Sequence, residues 1–189
     1  MRFNEQSTVS HPAPLILETM IERMEEIVPF LPNVESIETR ESKKLKNGQL
    51  RIVRHWQGKA DSIPSALRPF LSKEALGWID TALWTPPEYK VEWQQSALSP
   101  GIARLYECKG ENYFEPNPDD PKNSSRIRIL GNLDVHPDRL PGLPTFLGRT
   151  LAPQIEKFVI GMITPNLRDL AKGLQGYLDQ KAKGGRKKK

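Results

Sequence analysis

The chain has 189 residues, 37% hydrophobic and 27% charged, which suits one folded domain with a substantial core. It holds no apolar run of about eighteen residues, which argues against a spanning helix. The lone cysteine, Cys108, rules out an intrachain disulfide and a cysteine metal cluster, and makes a reducing cytoplasmic setting the default. The opening Met1-Arg2-Phe3-Asn4-Glu5 lacks the apolar core of a signal peptide. The net charge is +5, but residues 181–189 carry six basic residues and no acid, so +5 less +6 leaves −1 for the body. A body without basic excess argues against nucleic acid as its partner. The tail is expected to be disordered; it solubilises the chain, touches an anionic membrane or nucleic acid through its lysines and arginine, or addresses the protein to a compartment.

In chain order, residues 2–9 predict a first strand, closed by His11-Pro12-Ala13-Pro14. Residues 14–28 predict an amphipathic helix, with Leu17, Met20, Ile21, Met24, Ile27 and Val28 on one face. Pro29-Phe30-Leu31-Pro32 follows as a packed connector. Val34 to Leu45 and Gln49 to Lys59 predict a hairpin about Asn47-Gly48, residues that tolerate positive φ. Residues 60–75 predict a loop with a helical turn. Residues 72–84 fit a helix almost as well as a strand, and strand is chosen; Tyr89 to Trp93 alternates cleanly beyond the turn at Pro86-Pro87. Strands over 103–115 and 125–135 complete the set. A long helix from Leu143 to Leu178 ends the fold. Its apolar stripe persists despite Pro165, Gly161, Gly173 and Gly176, and Pro165 is expected to kink it.

Motifs of catalysis are missing. His11, His55 and His136 sit in separate segments, with no metal-ligand spacing and no phosphate loop or nucleophile elbow, so neither a metal nor a cofactor is expected. The aromatics say more. Trp56, Trp78 and Trp93 on the inner face of the strands would line an apolar wall with Ile52, Tyr89 and Val91. Arg54 shares the face of Leu50, Ile52 and Trp56. It would either face solvent, pair internally, or meet a phosphate or carboxylate of a ligand.

The element order, with strand, helix, six strands and one long terminal helix over residues 2–180, resembles the START-like (SRPBCC, helix-grip or Bet v 1-like) superfamily. That superfamily includes lipid-transfer domains, birch-pollen-type proteins and polyketide cyclases. The glycine-rich loop of pollen-type members is missing, since Lys46-Asn47-Gly48-Gln49 has one glycine. The resemblance implies an α+β fold, with a curved antiparallel sheet of about seven strands and the terminal helix across its concave face. It also implies a cavity for a lipid or other hydrophobic small molecule, with Ile127, Ile129, Phe158 and Met162 joining the wall. Ile63, Leu67, Phe70 and Leu71 would form a lid that meets a membrane. The functions in play are a binder or carrier, a cyclase or aromatase using the same cavity, and a scaffold with a filled core and an anion-binding tail. No residue is assigned a catalytic role, and the chain is expected to be a binder rather than an enzyme.

Overall fold

The computed structural model describes residues 1–59, 73–140, 142 and 145–186, the side chains of 74, 145–149, 162, 164–168, 185 and 186 excepted. Seven strands form one antiparallel sheet: β1 (Arg2–Val9), β2 (Val34–Lys44), β3 (Leu50–Gly58), β4 (Gly77–Thr85), β5 (Lys90–Ala97), β6 (Tyr106–Pro116) and β7 (Ser125–Val135). Their spatial order is β1-β7-β6-β5-β4-β3-β2, so β1 joins the far edge by pairing with β7. A short helix, α1 (Ala13–Glu22), follows β1, and a long one, α2 (Thr145–Arg186), ends the chain. The sheet is amphipathic with period two, and its inner face carries Ile52, Trp78, Ala82, Trp84, Val91, Trp93, Phe114, Ile127 and Ile129, all buried.

The predicted helix over 14–28 divides. α1 stops at Glu22, and Met24–Phe30 continues as a tighter 3₁₀ segment. Pro29 explains the change: it lacks an N–H, and its ring would clash with the carbonyl four residues earlier in an α-helix. The segment from 72 to 84 resolves into a 3₁₀ turn at Lys73–Leu76 and then β4. The strand expected from 103 begins only at Tyr106, because Pro100–Ile102 forms a turn that buries Ile102 and Leu105.

α2 is continuous through Pro165 and reaches Arg186, eight residues beyond the predicted end. Ile155, Phe158, Val159, Ile163, Leu170, Leu174, Tyr177 and Leu178 are buried along it. Each large side chain so buried contributes about 1.5–3 kcal/mol, which together exceeds the roughly 3 kcal/mol that an internal proline costs. Residues 181–186 are therefore helical, not the disordered tail expected from their charge. Lys181 Nζ pairs with Glu26 Oε2 at 2.9 Å, and Tyr177 donates to the same oxygen at 2.7 Å. Two of the glycines thought to weaken α2 instead allow a close approach. A Cβ at Gly173 would lie 2.8 Å from Leu31 Cδ2, and one at Gly176 would lie 2.9 Å from Phe30 Cδ1. They seat the 24–30 segment against the helix.

Glycine also shapes the sheet. Gly110 and Gly131 face each other across β6 and β7. A Cβ on Gly110 would run into the Leu130 carbonyl and lie 2.6 Å from Trp93 Cζ2. Over this flat spot Phe3 stacks on Trp93, their centroids 6.2 Å apart. The stack fixes where Trp93 stands in the concave face.

Candidate functional site

Strand register sorts the concave face into rows. One row is polar: Thr39, Arg54, Asp80, Gln95 and Cys108 follow one another across β2 to β6. On one side lie Trp56, Trp78 and Ala97; on the other lie Ile52, Ala82, Trp93 and Gly110. Alternation alone puts Asp80 on this face, since Trp78, Ala82 and Trp84 have the same parity along β4. The result is a polar stripe between two aromatic ones.

Above the stripe is a cavity of about 70 Å³. Its floor is the middle of the sheet, its side is Met20, Met24 and Leu31, and its roof includes Ile163 and Leu170 of α2. Trp56 and Trp78 stack in its wall with centroids 5.4 Å apart. Trp93 Nε1 donates to Asn112 Oδ1 at 2.8 Å. The indole N–H groups of Trp56, Trp78 and Trp84 are buried without an acceptor.

Arg54 is buried and spends most of its donors on the protein. Nη2 donates to the carbonyls of Met20 at 3.0 Å and Ile21 at 2.6 Å, and Nε donates to Thr39 Oγ1 at 3.3 Å. The guanidinium thus satisfies the orphan carbonyls at the C-terminal end of α1, where a cation also suits the helix dipole. Burial lowers its pKa, opposed by the charges of Asp80 and Glu25. The internally paired alternative for Arg54 is the one the geometry has, although the residue still lines the cavity.

Asp80 is the group that sequence reasoning missed. Burial raises its carboxyl to about 6, opposed by a hydrogen bond from Gln95 and by the Arg54 charge. Gln95 Nε2 donates to Oδ1 at 3.4 Å, a long contact. Asp80 and Arg54 are cross-strand partners, yet no ion pair within 4.0 Å joins them. A carboxyl poised near neutrality beside a cation, in an apolar cavity, can accept or return a proton. Cys108, one strand further, is pushed up to about 12, chiefly by burial, and stays a thiol.

Of the predicted wall, Arg54, Trp56, Trp78, Val91 and Trp93 come together around the cavity. Ile52, Ile127, Ile129 and Phe158 are buried in the core beside it rather than in its lining. Tyr89 is not there at all. It occupies the β4–β5 turn with φ 51°, because the chain must reverse after Pro86–Glu88. The Met162 side chain and the lid residues Ile63, Leu67, Phe70 and Leu71 lie outside the described residues. Among those described, no three metal-ligating side chains gather, and no helix is long and apolar enough to cross a membrane.

No protein-family profile matches the chain, and no curated protein is similar to it in sequence. Solved structures are. The Zhui aromatase/cyclase from Streptomyces sp. R1128 superposes with a TM-score of 0.68 at 12% identity, covering 96% of this chain and 95% of that one. The chain has a START-like, helix-grip fold. Two more structures of this fold extend the comparison. Ara h 8.0201 matches with a TM-score of 0.57 at 15% identity over 95% of this chain and 98% of its own. Norcoclaurine synthase from Thalictrum flavum matches at 0.56 and 13%, over 94% and 86%. At such identities the START-like likeness is one of backbone.

Proposed function

We propose that the protein binds a hydrophobic small molecule between the concave sheet and α2. The observation that supports this most is the indole-walled cavity over Asp80 and Arg54, where a scaffold would have a filled core. Its walls are mainly apolar with a few placed polar groups, as in small-molecule sites generally. The volume of about 70 Å³ holds a few waters, so a larger ligand enters only as α2 rises from the sheet. Phenylnaphthylamine, which brightens in apolar surroundings and accepts energy from tryptophan, tests the reading. Saturable binding to the full chain is expected, and Ala82→Leu, which adds three carbons to the cavity wall, should abolish it. Binding that survives this substitution in a folded variant places the ligand elsewhere, and no binding at all favours a scaffold.

A second reading, an enzyme of the cyclase or aromatase kind, is favoured by one observation. Asp80 has the environment of a general acid or base, and the Zhui structure, which shares this fold over 95% of its length, is named an aromatase/cyclase. Asp80→Asn should then abolish turnover of a linear poly-β-ketone while leaving phenylnaphthylamine binding intact. Equal turnover in the variant would exclude it.

Carriage of a lipid and transient contact with anionic membranes belong to the first reading, supported by the basic residues from Lys181 onward. Because Lys181 is tied to Glu26, the test replaces only Lys187, Lys188 and Lys189 with Gln. Vesicles containing phosphatidylserine should sediment less of the variant than of the parent. Equal sedimentation removes the membrane from the account. A cytoplasmic setting completes the reading and rests on the single-cysteine composition.

A further inference from the structure

Arg54 stands between two sets of acceptors and serves one of them. Nη2 donates to the carbonyls of Met20 and Ile21 in the last turn of α1, and Nη1 has no hydrogen-bond partner among the described residues. The other acceptor is Asp80, directly opposite on β4. Opposed side chains on antiparallel strands start about 4.5–5.5 Å apart at Cβ, within an arginine's reach. Yet no ion pair within 4.0 Å joins the two. A protonated Asp80 suits this arrangement, because it needs no countercharge. An ionised one does not: it offers the guanidinium two charged oxygens, and away from water it is costly without a cation beside it. Among the described residues, the other groups facing it supply no cation. β5 presents the neutral Gln95 at 3.4 Å, β6 presents the Cys108 thiol, and α1 and α2 present Met20, Ile163 and Leu170. Glu25 adds a negative charge near Arg54 and accepts from the Thr39 N–H at 2.7 Å.

What Arg54 would release is well defined. Its two carbonyls belong to the turn that carries Met20 into the side of the cavity. Just beyond, Arg23 leaves the helical region with φ −129° and ψ 19°, which separates α1 from the 3₁₀ segment. That segment is pinned independently, by Glu25 to the Thr39 N–H and by Glu26 to Tyr177 and Lys181 of α2. The last turn of α1 can therefore fray outward while the rest of the wall stays in place. We propose that Arg54 is a latch on the cavity, holding the last turn of α1 shut while Asp80 is protonated and turning to Asp80 once it ionises, so that rising pH populates a minor open form that admits and releases a ligand. The ligand's part rests on the binding reading above; the motion of α1 does not. The sign follows from linkage. Burial holds the carboxyl up at about 6 in the closed form, so the closed form binds the proton more tightly and raising the pH favours the open one. With the carboxyl returned to its ordinary 3.8 in the open form, the open-to-closed ratio rises about tenfold between pH 5 and pH 8.

Amide hydrogen exchange of the full chain at pH 5 and pH 8, corrected for the intrinsic rates, tests the latch without any ligand. Protection of the Ile21, Glu22 and Arg23 amides should fall about tenfold from pH 5 to pH 8, while that of Glu26 and Ile27 stays within about twofold. In Asp80→Asn, which leaves every other titrating group in place, protection of all five should be the same at both pH values. Stopped-flow entry of phenylnaphthylamine, uncharged at both pH values, gives the second arm. Its entry and exit rates should both rise about tenfold in the parent and stay flat in Asp80→Asn, with affinity unmoved, because a gate alters both rates together. Equal protection of the α1 amides at pH 5 and pH 8 in the parent overturns the latch. So does an Asp80→Asn chain that follows the parent. If phenylnaphthylamine still binds saturably in either case, the binding reading stands without the latch. If it does not bind but the α1 amides respond as described, the binding reading falls and the latch is upheld as a motion of α1.

Discussion

Replacing Arg54 with Met keeps an unbranched, largely apolar stem and removes the guanidinium. Three hydrogen bonds go with it, to the carbonyls of Met20 and Ile21 and to Thr39 Oγ1. A buried acceptor left without a partner costs about 1–3 kcal/mol. The Met20 bond is fully buried and takes the upper part of that range; the other two are partly buried, where water can substitute. The sum is roughly 3–5 kcal/mol, and relief from burying the guanidinium returns about 1–2 of it. A net loss of about 2–3 kcal/mol remains. With a urea slope of about 2 kcal/mol/M, the unfolding midpoint should fall by about 1–1.5 M. Tryptophan fluorescence in urea measures it. A double-mutant cycle that adds Asp80→Asn gives the second half of the result. The Arg54 charge holds the Asp80 carboxyl down, so Asp80→Asn should stabilise the Arg54→Met chain more than it stabilises the parent. A midpoint shift below about 0.3 M at unchanged slope would refute the reasoning that Arg54 holds the end of α1.

Asp80 carries a pH prediction with a definite sign. Its folded pKa of about 6 lies above the ordinary 3.8, so the folded state binds the proton more tightly than the unfolded state. Its contribution is greatest below the unfolded value and is lost as pH rises from about 4 to 6, by about 3 kcal/mol at most. Asp80→Asn should match the parent near pH 4 and be more stable at pH 8, in urea melts at both pH values; a less stable variant at pH 8 contradicts the buried carboxylate. Gly110→Ala should destabilise by about 3 kcal/mol or more and disturb the Trp93 signal, since the new Cβ meets the Leu130 carbonyl and the indole. Gly161→Ala should be neutral or stabilising by up to about 1 kcal/mol in the same melts, because nothing lies within 4 Å of its Cβ position.

The architecture was legible because its signals are periodic. β1 and β7 fall at the predicted residues, and the Asn47-Gly48 turn has the positive φ its glycine suggests. Boundaries slipped where proline changes local geometry, at Pro29 in the helix, at Pro100 before β6, and at Tyr89 beyond Pro86-Pro87. The helix runs past its predicted end at Leu178 to Arg186, because the weight of tertiary packing along α2 is not visible in local propensity. The Asp80 omission has a different cause. The parity of Trp78, Asp80, Ala82 and Trp84 was present in the sequence. A charged residue there reads as a solvent-facing position until the register sets it between Arg54 and Gln95. Asn112 and Gln95 needed the pairing of β5 with β6, which no local pattern supplies.

The four tryptophans offer the most direct test of ligand binding over the polar row. Heteronuclear NMR resolves one indole N–H signal for each, assignable by single Trp→Phe replacements. On titrating phenylnaphthylamine, the account predicts that the signals of Trp56, Trp78, Trp84 and Trp93 all move and saturate together. Saturable binding that leaves these four signals in place would contradict it.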